Sequence, residues 1–200
     1  MEDLGTRELV TERLLLRRLA VDDAQAMIDG WASSQDVCRF LTWGPYREPD
    51  EGGWLEQVVA SYADPAFYQW GIELRESSTL IGTIDARFLA DISPGQGCER
   101  HVGYCIGKGW WHQGYTSEAL SAVIDFLFGE VGCMRVSSRH DVRNPRSGMV
   151  MARCGMTLEG ILRRSGVSNA GVGDMAWYGI LREEWERSQG ATGVLRPMDE

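Results

Sequence analysis

At 200 residues with 44% hydrophobic content, the chain suits one domain with a sizeable core and no second one. A formal net charge of −9 and a pI near 4.9 exclude the dominant basic face that non-specific nucleic-acid or membrane binding needs, and they favour amines and cationic peptides as partners. Five cysteines without a C-x-x-C pair suit a reducing cytosol, and three histidines without ligand spacing predict no metal.

The opening MEDLGTRELV lacks the basic and apolar regions of a signal peptide, and no apolar run reaches the ~20 residues of a membrane span, so a cytoplasmic protein is expected. Glu8 to Leu19 carries an apolar centre between charged flanks and reads as a strand. Asp22 and Asp23 suit the start of a helix with Ala24, Met27, Ile28 and Trp31 on one side. Phe40, Trp43 and Tyr46 fall in an irregular stretch punctuated by Gly44, Pro45 and Pro49. A second helix is expected from Asp50 to Tyr62, followed by a hairpin of Phe67 to Glu76 and Thr79 to Leu89. A loop over 90–97 leads to a strand from Cys98 to Ile106, whose alternation puts Glu99, His101 and Cys105 on one face and Val102, Tyr104 and Ile106 on the other.

The next stretch, GKGWWHQGYTSEALSAVIDFLF, passes from a glycine loop into a run with helical spacing. Ala119, Leu120, Val123, Ile124, Leu127 and Phe128 form one apolar stripe, and Thr116, Ser117 and Glu118 stand ahead of it as start residues. Gly107, Gly109 and Gly114 keep bulk out of the loop, so backbone N–H groups from Gln113 to Thr116 can converge on an anion. A strand from Met134 to His140 follows, and the strand-helix-strand order forces a crossover and a parallel pair. Asn144 and Pro145 begin a short helix that Gly155 ends. Thr157 to Arg164 and Asp174 to Arg182 close the chain as a hairpin around a Gly- and Ser-rich loop, with Trp177 and Tyr178 in the second strand.

Two phosphate-loop patterns fail on this loop. Gly109 to Thr116 fits a Walker A spacing, but Tyr115 stands where the lysine belongs. A dinucleotide fingerprint from Gly107 meets His112 in place of its third glycine. The window Trp111-His112-Gln113-Gly114-Tyr115-Thr116 instead resembles the coenzyme A pyrophosphate loop, R/Q-x-x-G-x-G/A, of the GCN5-related N-acetyltransferases (GNAT). Trp111 and Thr116 depart from that pattern. The longer string GYCIGKGWWHQGYTSEAL, with RLLLRRL, IGT, N-P-R-S and C-G-M-T-L-E-G, is similar to the branch that acetylates ribosomal-protein N-termini, the RimJ and RimL type. The resemblance implies an α/β fold: a single GNAT-like domain over 1–188, a mixed central sheet of about six to seven strands with helices on both faces, and a flexible tail over 189–200.

It further implies acetyl-CoA as co-substrate, a primary amine as acceptor, direct transfer in a ternary complex, and a homodimer as a common assembly. The cofactor contacts expected are Tyr104, Cys105 and Ile106 through the strand backbone, Trp111 to Thr116 around the diphosphate, Asn144 on the pantetheine arm and Ser147 near the thioester sulfur. Ser147 thereby becomes a candidate for protonating the leaving thiolate. Phe40, Trp43 and Tyr46 either wall the acceptor pocket or pack their loop onto the core.

Acyl transfer to an amine benefits from a base that titrates near the working pH. His101, where the branch usually carries a Glu, is the nominee, and Glu99 two residues earlier orients it or acts through water. A sheet histidine with a satisfied hydrogen bond is the bland alternative. If His101 is the base, its replacement by alanine removes a pH limb near neutrality. A non-catalytic coenzyme A sensor is the alternative function, motivated by Trp111, Thr116 and His101.

Overall fold

The computed structural model describes residues 2–49, 53–88 and 99–192. Its eight strands are β1 (Leu9–Val10), β2 (Leu14–Arg17), β3 (Tyr68–Leu74), β4 (Thr79–Arg87), β5 (Glu99–Ile106), β6 (Arg135–Asp141), β7 (Thr157–Ser168) and β8 (Gly171–Leu181). They form one sheet in the order β1-β2-β3-β4-β5-β6-β8-β7. The helices are α1 (Ala24–Met27), α2 (Gln35–Cys38), α3 (Trp54–Ser61), α4 (Tyr115–Phe126), α5 (Pro145–Arg153) and α6 (Arg182–Thr192). Every neighbouring pair of strands is antiparallel except β5 and β6, and α4 is the crossover between those two.

Strand alternation sends side chains to opposite faces, and each face has its own core. Ile81, Ile84 and Val102 pack with Leu120, Val123 and Ile124 of α4 and Met151 of α5. Leu80 and Cys105 point the other way, against Met27 of α1, Trp31 just beyond it, and Leu55 and Val58 of α3. The stripe expected on α4 is buried as read, with Ala119, Leu120 and Val123 all at 0% exposure. Gly132, at φ 83°, ends the helical turns that follow α4.

Several boundaries differ from expectation. The first apolar run is two strands, because the Thr11 amide donates to the Leu14 carbonyl and its Oγ1 accepts from the Leu14 amide, turning β1 back onto β2. The sheet therefore has eight strands. The closing hairpin is longer than composition suggests: β7 continues through Ser168, because Val167 and Ser168 pair with Val172 and Gly171. Regular structure also runs past Ser188, since α6 ends at Thr192, where a tail was expected from 189. α3 begins at Trp54, and the expected helix start at Asp50, the loop over 90–97 and Cys98 lie outside the described residues.

One buried charge ties the start of the chain to the sheet. Arg100, 2% exposed, donates to Asp3 Oδ1 at 2.5 Å. Removing the carboxylate takes a counter-charge from the buried guanidinium, which keeps its bond to the Glu99 carbonyl. Asp3→Ala should lower the unfolding free energy by about 3 kcal/mol in denaturant titrations; a loss below about 1 kcal/mol would mean the pair behaves as a screened surface bridge.

Candidate active site

Among the described residues, β5 and β6 part after a short ladder. β5 and β6 pair only at Glu99↔Arg135, Arg100↔Val136 and His101↔Ser137. Just past that ladder, Ser138 Oγ donates to the Val102 carbonyl at 2.8 Å, while β5 stays paired to β4 as far as Ile106. In a strand the N–H and C=O of alternate residues face the same edge. The amides of Tyr104 and Ile106 therefore face the gap with Val102, whereas Cys105 faces β4. The Cys105 thiol lies 3.4 Å from Thr83 Oγ1, and burial pushes its pKa up to about 11. The Cys105 amide is thus turned from the gap that the Tyr104 and Ile106 amides face. Trp111 enters through its indole, which donates to the Ile106 carbonyl at 2.9 Å.

On the α4 and α5 side of the gap, the Tyr104 hydroxyl donates to the Ser147 carbonyl at 2.9 Å and lies 3.0 Å from Ser147 Oγ. Burial raises the Tyr104 pKa, so the phenol stays protonated. Asn144 precedes Pro145 at the α5 start, and its carboxamide makes no capping bond. Gly148 lets α5 approach β6: a Cβ there would meet His140 Nε2 at 2.5 Å.

Gly114, at φ 83°, is the residue before α4, and no side chain caps it. The Glu118 amide is the first to bond back, to the Gly114 carbonyl at 3.0 Å, so the Tyr115, Thr116 and Ser117 amides precede the helical ladder. The expected cap by Thr116, Ser117 and Glu118 is not what forms. Glu118 turns away to accept from Thr11 Oγ1 at 2.6 Å and from the Arg13 amide at 2.8 Å. Arg13, absent from the residues singled out by sequence, donates to the Gln113 carbonyl at 2.9 Å and lies 4.4 Å over the Tyr115 ring. His112, at φ 63°, helps form the bend.

The face carrying His101 is different in character. His101 is 7% exposed, its Nδ1 lies 3.1 Å from Ser137 Oγ, and its ring is tilted against Trp177 at 5.5 Å. Burial, with Arg139, Arg87 and Arg135 around it, pushes its pKa down to about 3. A base with so low a pKa would place its limb well below the neutral range expected of His101. A depressed folded pKa has a stability consequence: the unfolded chain takes up a proton below pH ~6.5 while the folded one does not until about 3. Stability contributed by neutral His101 is thus complete above ~6.5 and lost as pH falls towards 3, by an amount on the order of a few kcal/mol. His101→Gln should flatten the stability profile in that window; an unchanged slope in acid denaturation would contradict the shift.

Glu99, 4% exposed, pairs with Arg135 at 3.3 Å. A second carboxylate, missed in the sequence, is Asp85 on β4. It is registered opposite Gly103, where a Cβ would come within 2.8 Å of its Oδ1. Burial raises the Asp85 pKa, opposed by Arg87, which binds it at 2.8 Å. Phe40 is half-buried, with the Arg39 and Arg143 guanidiniums 5.1 and 6.0 Å from its ring centre. Trp43 and Tyr46 stack at 5.8 Å and pack on the α1 and α3 core. Asn169, in the β7–β8 turn, holds their loop by donating to the carbonyls of Cys38 and Trp43, both at 2.9 Å. Lys108 pairs with Asp36, Arg143 pairs with Asp141, and the Arg146 guanidinium lies 5.8 Å from the Trp111 ring centre. Among the described residues no group of His, Cys, Asp or Glu is placed to hold a metal, and no helix is long and apolar enough to cross a membrane.

Comparison with known proteins shows the family and the fold. A family model described as an acetyltransferase (GNAT) domain matches residues 13–157. The uncharacterized N-acetyltransferase YoaA of Bacillus subtilis (strain 168) is 28% identical over 175 residues, covering 87% of this chain and 96% of that one. The [ribosomal protein uS5]-alanine N-acetyltransferase of Escherichia coli (strain K12) is 25% identical over 158 residues, 76% of this chain and 79% of its own. A GNAT-family acetyltransferase structure from Bacillus anthracis shares the fold at a TM-score of 0.75 and 22% identity, covering 88% of this chain and 99% of that chain. The microcin C7 self-immunity acetyltransferase MccE, solved with acetyl-CoA and AMP, does so at 0.73 and 17%, covering 86% and 93%.

Proposed function

The chain belongs to the GNAT acetyltransferase family, and from that premise we propose that it moves an acetyl group from acetyl-CoA directly onto a primary amine in a ternary complex. The observation that carries this reading is the gap between β5 and β6, an unpaired strand edge that runs from His101 towards the amide turn at Gly114. The residues fit the cofactor's chemistry. The Tyr115, Thr116 and Ser117 amides and the helix dipole suit a diphosphate, the uncapped Asn144 carboxamide suits the amides of a pantetheine arm, and the Tyr104 amide suits a thioester carbonyl oxygen. Acetyl-CoA supplies an activated acyl group when bound.

The chain's own residues then handle the protons. Ser147 gives its hydroxyl proton to the departing thiolate and takes one from the Tyr104 phenol. The phenol turns from the Ser147 carbonyl to Oγ, 3.0 Å away, and is reprotonated from solvent after product leaves. Asp85, whose pKa burial raises despite its 2.8 Å pair with Arg87, takes the proton from the amine in place of His101, whose basicity is suppressed. Gly103 lets the Asp85 carboxylate and the Arg87 guanidinium close down onto β5, where a Cβ would meet them at 2.8 and 3.1 Å. Incubation with acetyl-CoA and an amine panel, followed by mass spectrometry, tests the reading. One acetyl group should appear on at least one amine; coenzyme A binding with no product on any amine would favour a sensor instead.

A homodimer belongs to the same proposal. Edge strand β7 is exposed over nearly its whole length, with Leu158, Ile161, Leu162 and Val167 each near half or more exposed. Light scattering should return twice the chain mass, and Ile161→Lys should return it to the monomer value.

A further inference from the structure

The chain is acidic overall, at −9, yet the sheet face beside the gap gathers guanidinium groups. Arg87, Arg135 and Arg139 all act on His101. Two of them are matched: Arg135 by Glu99 and Glu159, and Arg87 by Asp85. Arg139 is not. Among the described residues it has no carboxylate partner, and its guanidinium lies 5.0 Å over the Trp177 ring, leaving its edge donors free. Arg139 is exposed and so open to an incoming anion, and desolvation with the nearby charge of Arg87 lowers its pKa. The neighbouring Trp177 Nε1 is buried with no hydrogen-bond acceptor.

These groups share one face. Arg139 is registered opposite Trp177, Trp177 touches His101, and Arg87 is registered opposite His101, with Asp85 opposite Gly103. The last paired residues of the gap thus have a carboxylate on one flank and, on the other, a cation with no carboxylate partner among the described residues. A bare polyamine would place its second charge against Arg139 at a cost, and an uncharged amine would leave the repulsion standing.

We infer that the acceptor is a primary amine carrying an oxyanion on the same molecule, with Arg139 binding the oxyanion and Asp85, bridged to Arg87, facing the nitrogen. The inference rests on the acetyl-transfer reading for the site of chemistry. It adds the substrate class, which that reading leaves open.

Matched acceptors test it. A free amino acid against its carboxamide isolates a carboxylate, and an aminoalkyl phosphate against the corresponding amino alcohol isolates a phosphate; a diamine of similar length is the cationic control. For at least one pair kcat/KM should favour the anionic member about tenfold or more, and Arg139→Gln should bring that ratio close to one. The responding pair identifies the oxyanion. Ratios near one in the unaltered protein, a ratio that survives Arg139→Gln, or preference for the diamine would each overturn the inference. Calorimetry on the same compounds separates it from the catalytic reading. Binding of the anionic members that depends on Arg139, with no product, would keep the inference and remove the enzyme; product formed without charge preference would do the reverse.

Discussion

Gly114→Val should raise the KM for acetyl-CoA and the Kd for coenzyme A by about tenfold or more, while the fold survives. Gly114 sits at φ 83°, a region that a β-branched residue occupies only at a cost of about 1–3 kcal/mol. A Cβ there would also come within 3.4 Å of Arg13 Nη2, which lies over the loop. The chain relieves both strains by rotating the bend. That rotation turns the Tyr115, Thr116 and Ser117 amides away from a common point, and convergence is what makes a helix start bind a diphosphate. Gly109→Ala is the matched comparison, since a Cβ at Gly109 meets nothing within 4 Å. Coenzyme A affinity within twofold of the parent in Gly114→Val would move the diphosphate site elsewhere.

Local features were readable in the sequence to the extent that they depend on neighbours in the chain. The apolar stripe of α4, the parallel crossover and the alternation along β5 all follow from periods of 3.6 and 2. The glycine bend was equally visible, because only Gly114 tolerates its conformation cheaply. What escaped depends on register. Asp85 joins the site because β4 places it opposite Gly103, and Trp177 meets His101 because β8 lies next to β6. A shift of one residue in either pairing would send those side chains to the other face, and nothing in the separate strands states the register. Arg13 escaped similarly: it reaches Gln113 across 100 residues of chain, through the turn that splits β1 from β2.

His101 shows the limit in another form. Its position on β5 and its face were read correctly, but a pKa depends on what surrounds a group. Three guanidiniums from β4 and β6, together with burial, convert a residue that ordinarily titrates near neutrality into one that stays neutral.

The proton donor to the thiolate gives the other large effect. Ser147→Ala should lower kcat by about a hundredfold with little change in coenzyme A affinity, since the interaction is needed only as the thiolate departs. Tyr104→Phe should fall in the same direction, because its hydroxyl binds both the carbonyl and the Oγ of Ser147 and so sets where that side chain points. If the two hydroxyls act as one relay, the double variant will lose no more than the worse single one. Because burial raises the Tyr104 pKa above its ordinary value, the relay keeps its proton at alkaline pH, and kcat should show no descending limb below about pH 10 from this group. A purely packing role predicts another pattern: Tyr104→Phe would lower Tm while the rate per folded molecule stayed constant. Additive losses in the double variant would leave Ser147 and Tyr104 as independent contributors, and an unchanged kcat in Ser147→Ala would hand the thiolate's proton to solvent.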